Sequence, residues 1–183
     1  MNTLIEELSR DPFVETDQTL NVIDTTMKYL VRKSKYDGTM LDIGRESPLT
    51  KRVRAIYDVT NTSGDLDTIT FSSDIKYDYI LYSHTIEHQF NPLHTLLELR
   101  KVMSEESVMY IILPNKPKFL WWEGHFHEID NYRMTLLLKR AGYEIISYER
   151  HRAWRNWKFY LKGIRPLLRV FLEFNAYYEV KIK

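Results

Sequence analysis

The chain has 183 residues, of which 44% are hydrophobic and 14% aromatic, so it can bury a substantial core and is expected to form one domain. Its 26 Lys and Arg residues nearly cancel its 25 Asp and Glu residues, which disfavours nucleic acid as a partner except at a local patch. The absence of cysteine excludes a disulfide framework and thiolate metal sites, and it favours a cytoplasmic location.

The N-terminal segment, residues 1–36, is predicted to form two amphipathic helices. Thr3 and Glu6 form a capping-box pair at the start of the first helix, and apolar residues recur at helical spacing after Asp17. The segment has neither a secretory signal nor the roughly 18 apolar residues that a spanning helix needs. Neither secretion nor insertion in a membrane is therefore expected.

The central segment, residues 37–150, is predicted to alternate between strands and helices. Short apolar or β-branched runs predict buried strands at residues 39–43, 55–59, 77–83 and 108–114, with a later one at 143–149. Asn91 and Pro92 predict the start of a crossover helix, and Asp130 and Gly142 predict the two caps of another. Residues 104–107, SEES, are interpreted as a turn before the fourth strand.

The C-terminal segment, residues 151–183, combines two patterns. Residues 152–174 carry an apolar stripe beside a basic one and are predicted to form two helices divided at Pro166, and residues 176–183 predict a closing strand. The helices would either cover the core or form an interfacial hairpin that contacts an anionic membrane, a lipid-linked substrate or a second subunit.

Together these elements predict a Rossmann-like, doubly wound α/β fold with a mostly parallel sheet. In such sheets, ligands bind beyond the carboxyl ends of the strands. The polar residues expected at those ends are Asp42 and Gly44, Asp58, Gly64 to Leu66, and Ser83 and His84. We therefore expect them to face one cleft.

Seven stretches occur in the order found in one known family. They are LDIG (41–44), GDLDTITF (64–71), YDYILYSHTIEH (77–88), NPLHTLLELRKVM (91–103), YIILPN (110–115), HFHE (125–128) and KRAGYEI (139–145). Over residues 39–148 the chain thus resembles the class I S-adenosylmethionine-dependent methyltransferases, and specifically their small-molecule branch. The resemblance implies S-adenosylmethionine as the cofactor and a small-molecule, sugar or lipid-linked acceptor.

The resemblance also implies roles for individual residues. Asp58 would accept hydrogen bonds from the ribose, although capping a turn is an alternative, and Asp65 with the Leu66 amide would contact the adenine. The other predicted cofactor contacts, Asp42, Gly44, Ser83 and His84, follow from their places at strand ends, and for Asp42 and Gly44 the alternative is that they only end a strand and form a turn. Arg45 is predicted from its charge, because Arg45 and Glu46 would meet the carboxylate and the ammonium of the methionine part.

Two histidines, His88 and His125, are candidates for a general base, because they belong to the two loops expected to face each other over the cofactor. Packing without a chemical role is the alternative for each. A metal site built on His125 and His127 is not expected, because the two side chains would point to opposite sides of an extended segment and no third ligand is near them in the sequence.

The chain departs from the family pattern in three places, one of which is SEES (104–107), where the family has a Gly-Gly pair. Glu46 and Pro48 replace loop glycines, and the short interval between Asp58 and Asp65 indicates that the helix between strands 2 and 3 is missing or reduced to a turn. These losses leave open a catalytically inactive scaffold with the same fold. A dinucleotide is disfavoured, because pyrophosphate needs the glycines and amides that Glu46 and Pro48 remove.

Overall fold

The computed structural model describes residues 17–35, 37–117, 120, 124–153 and 171–183. The helix predicted around Thr3 and most of the C-terminal hairpin, residues 154–170, lie outside the described residues. The described elements are, in chain order, α1 (Asp17–Lys33), β1 (Thr39–Asp42), α2 (Pro48–Val53), β2 (Asp58–Asn61), β3 (Tyr77–Ser83), α3 (Pro92–Leu99), β4 (Met103–Asn115), α4 (Asn131–Ala141), β5 (Tyr143–Arg152) and β6 (Phe174–Ile182). Short 3₁₀ turns, Ile86–His88 and Arg100–Val102, flank α3.

The strands form one six-stranded sheet in the order β2-β1-β3-β4-β6-β5. β1 pairs in parallel with β2 and β3, and β3 pairs in parallel with β4. β6 lies antiparallel between β4 and β5. The prediction of an α/β fold with a mostly parallel sheet is confirmed.

Two apolar clusters cover the two faces of the sheet, because successive residues of a strand point to opposite sides. Leu41, Ile80 and Ile111 face the cluster that contains α3 and α4. Their neighbours Met40 and Leu81 face the cluster that contains α1 and α2. The central strands are therefore buried on both faces, as their continuous apolar runs predict.

The predicted caps of α3 and α4 are confirmed. The Asn91 side chain accepts a hydrogen bond from the His94 amide at the start of α3, and the Asp130 side chain accepts one from the Arg133 amide at the start of α4. Gly142 ends α4 with a φ of 79°, a conformation that costs a glycine little.

Two predicted boundaries are wrong. Strand 2 begins at Asp58 and does not end there, because the amides of Ile56 and Tyr57 still donate to the Val53 carbonyl and continue the turn of α2. Residues 104–107 are not a turn but part of β4, where the pairing with β3 shifts register. The Ser107 hydroxyl donates to the Tyr77 carbonyl at 2.6 Å and ties this irregular stretch to β3.

The connection from β2 to β3, residues 62–76, contains no helix, so the predicted reduction at this point is confirmed. It crosses from the carboxyl end of β2 to the start of β3 as turns and extended chain. None of the described helices is long and apolar enough to cross a bilayer.

Candidate cofactor-binding site

A cavity of about 850 Å³ opens at the carboxyl ends of β1, β2 and β3. Its volume lies within the range of about 300–1,000 Å³ that is common for small-molecule sites. Among the predicted site residues, those that line it are Asp42, Gly44, Arg45, Asp65, Leu66, Ser83, His84 and His88. Three separate strand ends and the loops that follow them thus converge on one space.

Asp42 lies at the floor of the cavity and is only 6% exposed. Its Oδ2 atom accepts hydrogen bonds from the Thr50 hydroxyl at 2.5 Å and from the Asn61 side-chain amide at 3.2 Å. Burial raises the pKa of Asp42, and these two hydrogen bonds oppose the increase. Asp42 therefore joins β1 to α2 and β2, in addition to lining the cavity.

Gly44 turns the chain away from β1 with a φ of 118°, which an L-residue with a side chain rarely adopts. Its amide donates to Thr62 Oγ1 at 2.7 Å, and the Thr85 hydroxyl donates to the preceding carbonyl, that of Ile43, at 3.1 Å. The ends of β1, β2 and β3 are therefore fixed to one another at the cavity.

The loop after Gly44 leads directly into α2. Ser47 caps this helix through a reciprocal pair of hydrogen bonds with Thr50, and Pro48 occupies its first turn, where its missing amide is tolerated. Glu46 forms an ion pair with Arg54 at 2.8 Å that lowers the pKa of the Glu46 carboxyl. Arg45 lines the cavity, whereas Glu46 is not among the lining residues.

Residues 62–67 form one wall of the cavity. Gly64 has a φ of 86°, and the Asp65 carboxylate accepts the Asp67 amide at 2.9 Å, which closes a tight turn. The Asp67 carboxylate in turn accepts the amides of Phe90 and Asn91, at 3.0 Å and 2.6 Å. This wall is therefore held against the segment that precedes α3.

His84 follows β3 in a strained backbone conformation. Its φ of 50° makes it the single described residue other than glycine with a positive φ. Such a conformation costs about 1–2 kcal/mol, and strain of this kind concentrates at functional sites. His84 Nδ1 lies 3.6 Å from Glu87 Oε1, and Glu87 is only 1% exposed.

His88 and His125 come together although they are far apart in the sequence. Their ring centroids lie 4.8 Å apart with the planes nearly perpendicular. His88 Nδ1 lies 2.8 Å from the Gly124 carbonyl, and His125 Nδ1 lies 2.8 Å from Glu128 Oε1. Burial lowers the pKa of His125, and the carboxylates of Glu87 and Glu128 oppose that decrease.

The structure does not bring Asp58 to this cavity. Asp58 is exposed and pairs with Thr39, at the amino end of both strands, whereas the cavity lies beyond Asp42 and Asn61 at the other end. The expectation that Asp58 lies at a carboxyl strand end is wrong, because it depended on the misplaced boundary of strand 2. His125 contacts His88 but is not among the residues that line the cavity.

Several lining residues carry no local sequence signal. Thr19, Val22 and Ile23 come from one face of α1, and Thr62, Thr85 and Gln89 come from loops. Helical spacing predicts which residues share one face of α1, but it does not predict that this face covers the cavity. Thr62 would follow from the correct boundary of β2, because it is the first residue beyond that strand.

No family model and no curated protein matches the sequence. Many solved structures match the fold. A Burkholderia thailandensis 1,6-didemethyltoxoflavin-N1-methyltransferase with bound S-adenosylhomocysteine superposes with a TM-score of 0.65 at 10% identity, over 97% of this chain and 84% of that chain. The chain has the fold of the class I S-adenosylmethionine-dependent methyltransferases.

Two further structures share this methyltransferase fold. A Bacillus halodurans protein with a provisional methyltransferase assignment matches with a TM-score of 0.63 at 12% identity, over 87% of this chain and 97% of that chain. The [4+2]-cyclase SpnF matches with a TM-score of 0.61 at 12% identity, over 87% of this chain and 80% of that chain. The methyltransferase fold is therefore compatible with more than one reaction.

Proposed function

We propose that the protein is an S-adenosylmethionine-dependent methyltransferase that acts on a small-molecule, sugar or lipid-linked acceptor. The observation that carries this proposal is the cavity at three parallel strand ends, which is lined by eight of the ten predicted site residues. Ligands of doubly wound sheets bind in this position. A fold neighbour with bound S-adenosylhomocysteine supports the proposal.

The lining residues suit the chemistry of the cofactor. Arg45 supplies a cation for the methionine carboxylate, and Asp65 supplies an acceptor for the adenine amino group. Val22, Leu49 and Leu66 supply apolar surface for an aromatic ring. Gly44 keeps the turn after β1 clear of a side chain, which allows close approach to backbone atoms.

Methyl transfer requires the protein mainly to orient the acceptor and to exclude water. S-adenosylmethionine supplies a methyl group on a sulfonium that is already activated for transfer. His88 lines the cavity and contacts His125, so these two residues are candidates for removing the proton of a hydroxyl acceptor. Gln89 and Ser83 offer further polar contacts to an acceptor.

Titration with S-adenosylhomocysteine tests the proposal. We expect saturable binding by calorimetry, which Arg45→Ala weakens because the cavity loses a cation. Lys51→Ala, an exposed cation on α2 that does not line the cavity, is the matched control. No heat and no thermal shift at millimolar ligand would contradict the proposal.

A catalytically inactive binding or scaffold protein is the second candidate. Glu46 and Pro48 in place of loop glycines and the helix-free connection between β2 and β3 favour it. Such a protein would bind S-adenosylhomocysteine or a partner without methyl transfer from labelled cofactor. Turnover with any acceptor from a metabolite panel would exclude it.

A lipid-linked acceptor or a homodimer would involve the C-terminal hairpin predicted at residues 152–174, whose apolar stripe lies beside a basic one. The two ends of that prediction are wrong, because Arg152 belongs to β5 and Phe174 belongs to β6. Sedimentation with vesicles that contain anionic lipid tests this part of the proposal. We expect more protein in the pellet at low than at physiological salt. Sedimentation that does not respond to salt, together with a monomer by light scattering, would contradict it.

A further inference from the structure

Three side chains that can ligate a metal meet beside the cavity. Glu87 and His88 follow β3, His125 precedes α4, and one ligand atom from each lies within 4.8 Å of the others. We propose that Glu87, His88 and His125 bind a divalent transition-metal ion.

Glu87 gives the first reason. It is only 1% exposed, and within the described part of the chain neither of its carboxylate oxygens has a hydrogen-bond partner. Burying a carboxylate without hydrogen bonds is unfavourable, and a bound cation would offset this cost.

The second reason is the orientation of the two imidazoles. The Gly124 carbonyl can only accept a hydrogen bond, so His88 Nδ1, 2.8 Å away, must carry a proton. His125 Nδ1 is likewise 2.8 Å from the Glu128 carboxylate, and Lys116 Nζ lies 3.6 Å from that carboxylate. In the neutral form of each ring, the lone pair is then on Nε2, which is the arrangement found where an outer carboxylate or carbonyl orients a metal-ligating histidine.

The ligand types select the metal. Two imidazole nitrogens favour zinc, iron, cobalt or nickel over magnesium and calcium, which prefer oxygen ligands. Zinc with two histidines and one glutamate keeps a fourth position open. Zn²⁺ is therefore the probe that we choose.

The position of the site deepens the proposed function and rests on it. His88 also lines the cavity, so the open position can take a hydroxyl oxygen of the acceptor. A divalent cation lowers the pKa of such a hydroxyl, whose proton leaves to solvent. The oxygen then forms the C–O bond as the C–S bond of the sulfonium breaks, and the electron pair of that bond stays on sulfur. His88 and His125 would hold the ion and would not act as bases, and the acceptor class would be a hydroxyl compound.

The test is metal binding by the full chain after treatment with a chelator. We expect saturable, stoichiometric binding of Zn²⁺ by calorimetry and a tetrahedral visible spectrum with Co²⁺. His88→Ala and His125→Ala should each weaken Zn²⁺ binding at least about 10-fold, and Glu128→Gln should weaken it about 10-fold through the orientation of His125. His151→Ala, on β5 and outside the cavity, is the matched control and should bind normally.

The absence of saturable Zn²⁺ binding would overturn the metal site. So would Zn²⁺ binding that stays unchanged in His88→Ala and His125→Ala, provided that both variants keep the wild-type circular dichroism. Binding of S-adenosylhomocysteine is measured on the same metal-free samples. Zinc binding without cofactor binding would contradict the proposed function alone, and cofactor binding without zinc binding would contradict the metal site alone.

Discussion

Asp42 is a buried residue whose ionisation opposes folding. Because burial raises its pKa, the folded state holds the carboxyl proton more tightly than the unfolded chain does. The stabilisation that the protonated Asp42 carboxyl gives to the folded state is therefore complete below the unfolded pKa, about 3.9. It is lost as the pH rises through the folded pKa.

Asp42→Asn removes this titration and keeps an acceptor oxygen for Thr50 and Asn61. The free energy of unfolding of the variant minus that of the wild type should therefore rise with pH, from about 3.9 up to the folded pKa of Asp42. Urea denaturation over a pH series measures it. Asp58→Asn, at an exposed carboxylate, is the control, and an equal, flat difference for both variants would contradict the prediction.

Asp58 and Thr62 mark opposite ends of β2, so they should respond differently. Asp58→Ala should leave the affinity for S-adenosylhomocysteine unchanged, because Asp58 lies at the edge of the sheet away from the cavity. Thr62→Val should weaken binding, because Thr62 Oγ1 accepts the Gly44 amide and fixes the turn after β1. Calorimetric titration compares the two, and loss of affinity in Asp58→Ala would restore the ribose role that the resemblance implies.

At the scale of elements, the junction of α4 and β5 depends on Gly142 and Arg100. Gly142 has a φ of 79°, and a Cβ atom there would clash with Arg100 Nη1. That guanidinium donates to the Ala141 carbonyl at 3.1 Å, so it caps the end of α4 from outside. A substitution at Gly142 therefore strains the backbone and displaces the cap together.

Gly142→Ala should lower the free energy of unfolding by about 1–2 kcal/mol from the backbone term, with an additional loss from displaced Arg100. In an Arg100→Ala background the same change should retain only the backbone term. Urea midpoints of the four proteins in this double-mutant cycle measure the difference. Equal losses in both backgrounds would mean that Arg100 moves aside without cost.

At the scale of the whole molecule, α1 connects the core to the cavity. Its residues Ile23 and Leu30 are buried against the sheet, while Thr19 and Val22 line the cavity. A ligand in the cavity should therefore restrain this helix as well as the loops at the strand ends. The outer strand pair, β5 and β6, does not contribute to the cavity lining.

Hydrogen exchange with and without S-adenosylhomocysteine tests this expectation. A ligand that binds only the native state, at a hundredfold excess over its Kd, stabilises it by about 2.7 kcal/mol. Amides of residues 19–23 and 62–67 should gain protection, because their local opening exposes the site. The amides of β5 that exchange by local opening should not gain protection. Protection confined to β5 would indicate a different binding site.

Much of this fold was determined by the local sequence. The helix-capping residues Asn91, Asp130 and Gly142 act on their own neighbours, and continuous apolar runs require burial on both faces of a sheet. Strand ends predicted from such runs place Asp42, Gly44, Ser83 and His84 at one edge, where the cavity lies. These predictions need only short-range chemistry and the parallel geometry of the sheet.

Only the tertiary structure decided the features that depend on distant partners. The apolar run at residues 55–59 is too short to distinguish a strand from a helical turn, and packing of Tyr57 in the core sets the start of β2 at Asp58. The meeting of Glu87 and His88 with His125 depends on the loop before α4 folding back to β3, where the His127 amide donates to the Glu87 carbonyl. Sequence spacing cannot encode this contact, because the partners include backbone carbonyls that every residue carries, among them that of Gly124 beside His88 Nδ1.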